Sequence, residues 1–543
     1  MKNKIFKFSK VATAVLVLGL TAVGCTQDFN ELNDNPNLTQ TPLSYGVFNA
    51  ANKLVTDATR NSFESGRVTL PWVQYSAQTN YTEEDRYQYR LTSGDALWRN
   101  LYAAAANYKK IIDMNTDPAT KDAVSAYGPN ENQIAASRVM LSYVFLQLVD
   151  TFGDVPYYSY GNQDPDFQAL KVDETIKPKF ASQAKIYADI MKELKESAEM
   201  VNTGDVVFTG GDVLFGDGEK LRRFANSLRL RVATRVKGVV PGAEANIADA
   251  IAKGVMRSND DNVGVKYENS LVNPSPMYND FRTRSDFSVA KPFISLLKGE
   301  TGTFGFDPRL YQYAAPIGTI KEPLLVSGSY MKVDPTDPEQ KRLIPIDAKN
   351  PELYVGQPYG LDQSLSTSQA GYANFFSKNV YRKDYTEILM EYSEVEFLLS
   401  EANSWSQEHY ENGVKASMEK WGVSDADIAA FVAQLPPATK ETVLTQKYVA
   451  LFMQPYEAWA EYRRTGYPNT SILLLPNETG ALNVPVKGAT TYVFTSLIDG
   501  LNDLPTRLYY PTVIQTLNVE NYKAAATAIG GDKMNTKLIW DKN

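Results

Sequence analysis

Cysteine and histidine are almost missing from this chain of 543 residues, which has only Cys25 and His409. A single cysteine excludes an internal disulfide and any cysteine-rich metal site. A single histidine excludes histidine-rich zinc centres, and His409, in SQEHYENG near the expected end of a helix, reads as an exposed polar residue. No HExxH, GxSxG, CxxC or phosphate-loop pattern occurs, and no run matches a dinucleotide fingerprint, so neither cofactor nor metal is expected. Beyond the first 24 residues no apolar run approaches membrane-spanning length, the strongest being the few residues of Ser471–Pro476. A positive balance is missing as well. With 55 basic and 63 acidic residues the formal net charge is -8, which makes nucleic acid and anionic lipid poor partners.

The N-terminus supplies the first positive signal. Lys2, Lys4, Lys7 and Lys10 precede an apolar run from Val11 to about Val23, the basic and hydrophobic regions of a secretory signal. That run is short of the roughly 20 residues that span a bilayer as a helix, so removal is expected rather than retention. It ends Ala22-Val23-Gly24-Cys25, small residues leading to the one cysteine, as where a signal peptidase cuts before a lipidated sulfur. Residues 1–24 are therefore expected to be a lipoprotein signal peptide, with Cys25 carrying the lipid. Several acyl chains, at about 0.8 kcal/mol per buried methylene, would hold the protein at a membrane without a spanning helix. Losing residues 1–24 removes four lysines and no acids, moving the net charge to -12. Residues 25–43 are polar and aperiodic, a tether; residues 44–543 form the body.

Within the body, apolar residues recur at helical spacing in Asp95–Met114 (Leu97, Leu101, Ala104, Tyr108, Ile111, Ile112) and Asn132–Val149. Further helices are expected at Phe180–Met200, Glu219–Lys237, Ala243–Ala252, Tyr385–Trp405, Asn412–Trp421 and Glu441–Arg464. Gly153 and Pro156 close the second of these helices. Between them lie Asn61–Leu91, Asn259–Ala290 and Gly299–Asp384, rich in Gly, Pro, Asn, Ser and aromatics, with short strand-like runs such as Pro323–Val326. The expected fold class is mainly α: tetratricopeptide-like helix pairs forming a scaffold, with a loop-rich irregular face.

Carboxylate pairs are the one route to catalysis, as in glycoside hydrolysis. Candidates are Glu83, Glu84 and Asp85 in a loop, and Glu387, Glu391, Glu394 and Glu396 near a helix start. Their bland reading is a solvated or arginine-paired cluster. Asp212, Asp217 and Glu219 in GGDVLFGDGEK lack calcium-loop spacing and read as a turn capping the next helix. Binding chemistry is better represented. In PWVQYSAQTNY the rings of Trp72, Tyr75 and Tyr81 alternate with amides, and in MYNDFRTRSD Tyr278 and Asn279 stand with Arg282 and Arg284. Flat rings cover the apolar face of a sugar or a peptide side chain, while amides and guanidinium groups donate to hydroxyls or carboxylates. These seven residues are the expected ligand site, with Tyr359, Tyr372 and Phe375 of the third loop in reserve. The alternative for any one ring is that it pins its own loop to the scaffold.

Seven segments together carry a resemblance: DFNELNDNPN after Cys25, RVMLSYVFLQLVDTFGDVPYY (138–158), LRRFANSLRLRVATRV (221–236), DPRLYQY (307–313), EILMEYSEVEFLLSEA (387–402), EAWAEYRRTGYP (457–468) and LPTRLYYP (504–511). In this order they resemble the SusD/RagB family of nutrient-binding outer-membrane lipoproteins, across nearly the whole mature chain. The resemblance implies a single SusD-like α-helical domain over 44–543, on the outer face of the outer membrane. It also implies an oligosaccharide or peptide ligand and a SusC-type TonB-dependent transporter as partner, with no enzymatic activity. A surface glycan or peptide hydrolase and a ligand-free structural adaptor are the competing readings. The family motifs themselves read as scaffold, with Arg222, Arg223, Arg229, Arg231 and Arg235 on one helix where Glu partners from neighbouring helices meet them.

Overall fold

Burial stripes at helical spacing generate most of the architecture. The computed structural model describes residues 42–541; the leader, Cys25 and most of the tether lie outside them. The principal helices are α1 (Ser44–Thr59), α2 (Gly94–Thr116), α3 (Asn130–Phe152), α4 (Gln183–Met200), α5 (Gly218–Arg235), α6 (Ala243–Lys253), α7 (Tyr392–Ala402), α8 (Gln407–Lys420), α9 (Lys440–Ala450) and α10 (Pro455–Thr465). From α1 to α6 each packs on the next, as do α7 and α8, giving tetratricopeptide-like pairs. In α2 the buried residues include all six of the expected stripe. Helix α3 is buried nearly all round, as a helix with neighbours on every side must be. It is long and apolar enough to cross a membrane, but its apolar window is wholly inside the protein and forms core.

Turn chemistry ends these helices where expected. Gly153 follows α3 with φ 88°, a conformation that residues with a Cβ rarely adopt. Asp212 accepts from the backbone N–H groups of Leu214, Phe215 and Gly216, and Asp217 caps α5 through Lys220 N at 2.8 Å. The GGDVLFGDGEK acids thus have the turn and capping role.

Four expectations fail for local reasons. Tyr385–Trp405 is not one helix: Thr386–Met390 (β6) pairs antiparallel with Val263–Lys266 (β2), and the helix begins only at Tyr392. Glu441–Arg464 breaks into α9 and α10, because Pro455 cannot continue a helix but suits the first turn of a new one. Pro323–Val326 lies in a short helix, Lys321–Ser327, where the proline occupies the first turn. His409 sits at the start of α8 rather than the end of a helix, with Nδ1 2.7 Å from Glu396 Oε2.

The long loops are held by two-stranded pairings, one between distant segments and two within a short stretch of chain. Ser76–Gln78 (β1) pairs antiparallel with Phe287–Val289 (β3), joining the first loop to the second. Met331–Val333 (β4) pairs with Leu343–Pro345 (β5), and Thr479–Val486 (β7) with Ala489–Val493 (β8). Beneath them lies an aromatic core. Phe293 stacks on Tyr313 and Phe452, Tyr313 on Phe452 at 4.2 Å, and Trp421 meets Tyr313 edge-on at 4.8 Å.

Candidate functional site

The seven expected site residues divide by burial. Trp72 and Tyr75 are fully buried. Trp72 Nε1 donates to the Glu84 carbonyl at 3.1 Å, and its ring meets Trp459 edge-on at 5.3 Å. Tyr75 stacks on Tyr448 at 4.7 Å and donates its hydroxyl to the Tyr448 carbonyl. Tyr278 is 5% exposed. These three are corrections: their rings pin the loops to the scaffold and offer no face to a ligand. Tyr359 is buried as well, and Phe375 packs against Phe281 at 5.2 Å, leaving Tyr372 as the exposed ring of the reserve set.

Tyr81, Asn279, Arg282 and Arg284 reach the surface. Tyr81 is 56% exposed and stands at φ 62°, in the left-handed region. Gln74 and Tyr87 in the same loop share that conformation, and such strain persists only where surroundings over-determine it. Here Gln363 holds the turn: its Oε1 accepts from Tyr81 N at 2.6 Å, and its Nε2 donates to Asn80 Oδ1 at 3.0 Å. Lower in the loop, Gln78 N donates to Asp85 Oδ2 at 2.7 Å and Ser366 Oγ donates to the Gln78 carbonyl at 2.7 Å. Asp85 is buried, and loss of water pushes its carboxyl well above the usual range.

Two arginines lie against the Tyr81 ring, Arg67 at 5.0 Å and Arg284 at 5.4 Å from its centroid. Arg67 comes from a π-helical turn, Ser62–Thr69, capped by the Asn61 side chain, which accepts from Phe63 N and Glu64 N. It pairs with Glu84 at 2.6 Å; Arg284 grips Asp286 through Nε at 3.2 Å and Nη2 at 2.7 Å. Both acids are buried, so each guanidinium is fixed from below. The β1–β3 pairing brings these segments together. The result is a ring on a rigid turn, with two cations and the amides of Asn80 and Gln363 around it. Sequence reasoning missed Arg67, Asn80 and Gln363. Arg67 and Asn80 lay within the first loop, whereas only the amide-rich and hydroxyl-rich run 363–369 hinted at Gln363.

Most of the carboxylates considered for catalysis already have partners. Glu394 pairs with Arg231 at 2.6 Å, Glu391 with Lys420, Glu396 with His409, and Glu387 lies 3.7 Å from Arg60. Burial raises the Glu387 carboxyl to about 7, with Arg60 opposing. Among the arginines of α5, Arg231 and Arg235 meet Glu394 and Glu457 of neighbouring helices as expected, whereas Arg223 meets Asp261 at 2.9 Å, Arg229 meets Asp249 at 2.8 Å and Arg222 pairs with Glu219 of α5 itself.

A family model described as "Starch-binding associating with outer membrane" matches residues 36–334 and 334–486, and one described as "Susd and RagB outer membrane lipoprotein" matches 437–541. This chain belongs to the SusD-like family. Its fold is that of solved SusD-like structures. A chitin-binding protein is 26% identical with a TM-score of 0.69, covering 93% of this chain and 100% of its own. A chitin-binding SusD homolog from Flavobacterium johnsoniae is 21% identical with a TM-score of 0.62, covering 92% and 99%. A SusD homolog from Bacteroides fragilis is 21% identical with a TM-score of 0.67, covering 91% and 100%. No curated protein matches the chain.

Proposed function

We propose that this SusD-like protein captures glycans at the cell surface through the platform centred on Tyr81, and passes them to a SusC-type TonB-dependent transporter. The observation that carries the reading is the exposed Tyr81 ring, at φ 62°, with the Arg67 and Arg284 guanidinium groups 5.0 and 5.4 Å from its centroid. An open platform of this kind suits a chain-like ligand that extends beyond the contact. The ring covers the apolar face of one sugar, and the guanidinium and amide groups donate to its hydroxyls. The chitin-binding relatives favour a glycan over a peptide. Binding without catalysis fits the pairing of the candidate acids with Arg231, Lys420 and His409.

Lipid on Cys25 anchors the protein to the outer membrane, facing outward, and residues 25–43 tether the body. Cys25→Ala removes the acyl label from the protein and the protein from the outer-membrane fraction; unchanged labelling by a fatty-acid analogue refutes the anchor. The transporter interface should bury more than the roughly 1,600 Å² of a standard complex and survive detergent extraction. Affinity purification from native membranes then recovers a large barrel protein, and its absence refutes the partnership. The ligand is tested by calorimetry with chito-oligosaccharides, malto-oligosaccharides and peptides. Tyr81→Ala weakens glycan binding about tenfold, the worth of about 60 Å² of apolar contact at about 25 cal/mol per Å². Wild-type affinity in that variant removes Tyr81 from the site, and peptide binding alone replaces the glycan assignment.

A further inference from the structure

A second cleft, of about 600 Å³, opens between the N-terminal end of α5, the β2–β6 pair and the C-terminal end of α8. This size is within the range of small-ligand sites, about 300–1,000 Å³. Lys220, Lys266, Arg382 and Lys420 all line it, with Tyr385 and Trp421. Four cations around one opening are unexpected in a chain of net charge -8. Their partners decide what charge is left over. Arg382 holds Asp384 through Nε and Nη2, both at 2.7 Å, and Lys420 pairs with the buried Glu391. Lys220 Nζ reaches only the Asp260 backbone carbonyl, at 3.0 Å, and among the described residues neither Lys220 nor Lys266 forms an ion pair. Lys220 and Lys266 therefore bring positive charge to the cleft that no direct ion pair neutralises, Asp212 and Asp384 acting on them only at longer range. The indole N–H of Trp421, a cleft-lining residue that is 6% exposed, has no acceptor either.

We infer that this cleft is a second ligand site, distinct from the Tyr81 platform, which takes a saccharide bearing a carboxylate, such as a uronic-acid oligosaccharide. The two lysine ammonium groups bind the acid through charge-assisted hydrogen bonds. Arg382 stays fixed by Asp384 and shapes the wall. The saccharide part of the assignment rests on the glycan-binding reading above; the acidic part rests on the cleft alone.

The test is calorimetry of the full chain with trigalacturonate, its neutral methyl ester and triglutamate. The variants are Lys220→Ala, Lys266→Ala and Tyr81→Ala, each with thermal unfolding as a control on folding. The expected result is that trigalacturonate binds and that the ester and the peptide bind at least about tenfold more weakly. Each lysine variant weakens the acid about tenfold, and Tyr81→Ala leaves it unchanged. Absent binding, or binding indifferent to both lysines, overturns the site. Equal binding of triglutamate overturns the saccharide assignment. A neutral chito-oligosaccharide titrated into the same variants reports on the Tyr81 platform separately, so failure there and failure in the cleft are told apart.

Discussion

In the helical part of this protein buried ion networks join helix to helix, whereas under the loops stacked rings dominate the packing. Arg231 and Arg235 on α5 are fully buried among Glu394, Glu457 and Asp150. Arg463 on α10 lies 3.7 Å over the Trp459 ring and donates to the carbonyls of Asp150 and Thr506 at 2.7 Å. Under the loops, the rings of Phe293, Tyr313, Tyr448 and Phe452 make the packing, beside a local pair of Arg309 with Asp307. A buried ion must meet particular partners in particular places, so it fixes both sequence and geometry. Rings tolerate one another in several arrangements and leave the surface residues of their loops free to differ. Four of the recognisable motifs therefore sit largely in the helices α3, α5, α7 and α10, whereas the proposed ligand platform sits on the loops.

The largest effect should come from breaking the ionic side of this contrast. Arg231→Ala leaves Glu394 and Glu457 facing each other in the interior, which costs about 3–5 kcal/mol measured by denaturant unfolding. The double change Arg231→Met with Glu394→Leu should recover much of that loss, because no charge is then stranded. If the single change proves silent, the network is not what holds α5 to α7 and α10.

On the aromatic side, Trp72→Ala removes a buried ring and the hydrogen bond to the Glu84 carbonyl, a loss of about 3 kcal/mol. Its effect on ligand affinity should only follow from that lost stability. A variant that keeps wild-type unfolding yet loses glycan binding would return Trp72 to the site.

One acid crosses the boundary between the two regions. Glu64, on the π-helical turn, is buried between Tyr89 and Tyr456 of α10, and desolvation raises its carboxyl from 4.5 to about 8 while the two hydroxyls oppose the shift. The folded protein therefore binds this proton more tightly than the unfolded chain. Its contribution to stability is complete below about pH 4.5 and is lost as the pH rises through about 8. Glu64→Gln has no proton to lose, so it should gain on the wild type by about 1–3 kcal/mol between pH 5 and pH 8. Parallel pH profiles of the two proteins would mean that Glu64 is not protonated in the native state.

How far the sequence reached follows the same division. The stripe of α2 was legible because every one of its positions answers to a local period, and Gly153 because only a glycine fits that turn easily. Thr386–Met390 was misread because its strand partner, Val263–Lys266, lies far away in the chain. Trp72 and Tyr75 were misread for a related reason: alternation with amides shows that rings face different sides, but not which side is inside. Arg67 escaped notice because Asn61–Leu91 shows no ordinary helical period and reads as loop, whereas its first residues form a π-helical turn. Tyr81 was legible as an aromatic in an aperiodic loop, and the structure adds Gln363, from nearly 300 residues onward, as its support.

The smallest change in stability should come at Tyr81, where replacement by glycine separates a binding ring from a packing ring. A residue with a Cβ at φ 62° is strained by about 1 kcal/mol, and glycine relieves that strain while having more unfolded-chain freedom to lose. The ring is more than half exposed, so little burial is lost with it. The Tyr81 N–H bond to Gln363 survives, because it belongs to the backbone. Tyr81→Gly should therefore unfold within about 1 kcal/mol of the wild type, while glycan affinity falls about tenfold. Thermal unfolding and calorimetry on one preparation read both quantities. A drop of several degrees would mean that Tyr81, too, pins its loop, and the contrast between an interior of rings and a surface that binds would lose the ring on which the platform is centred.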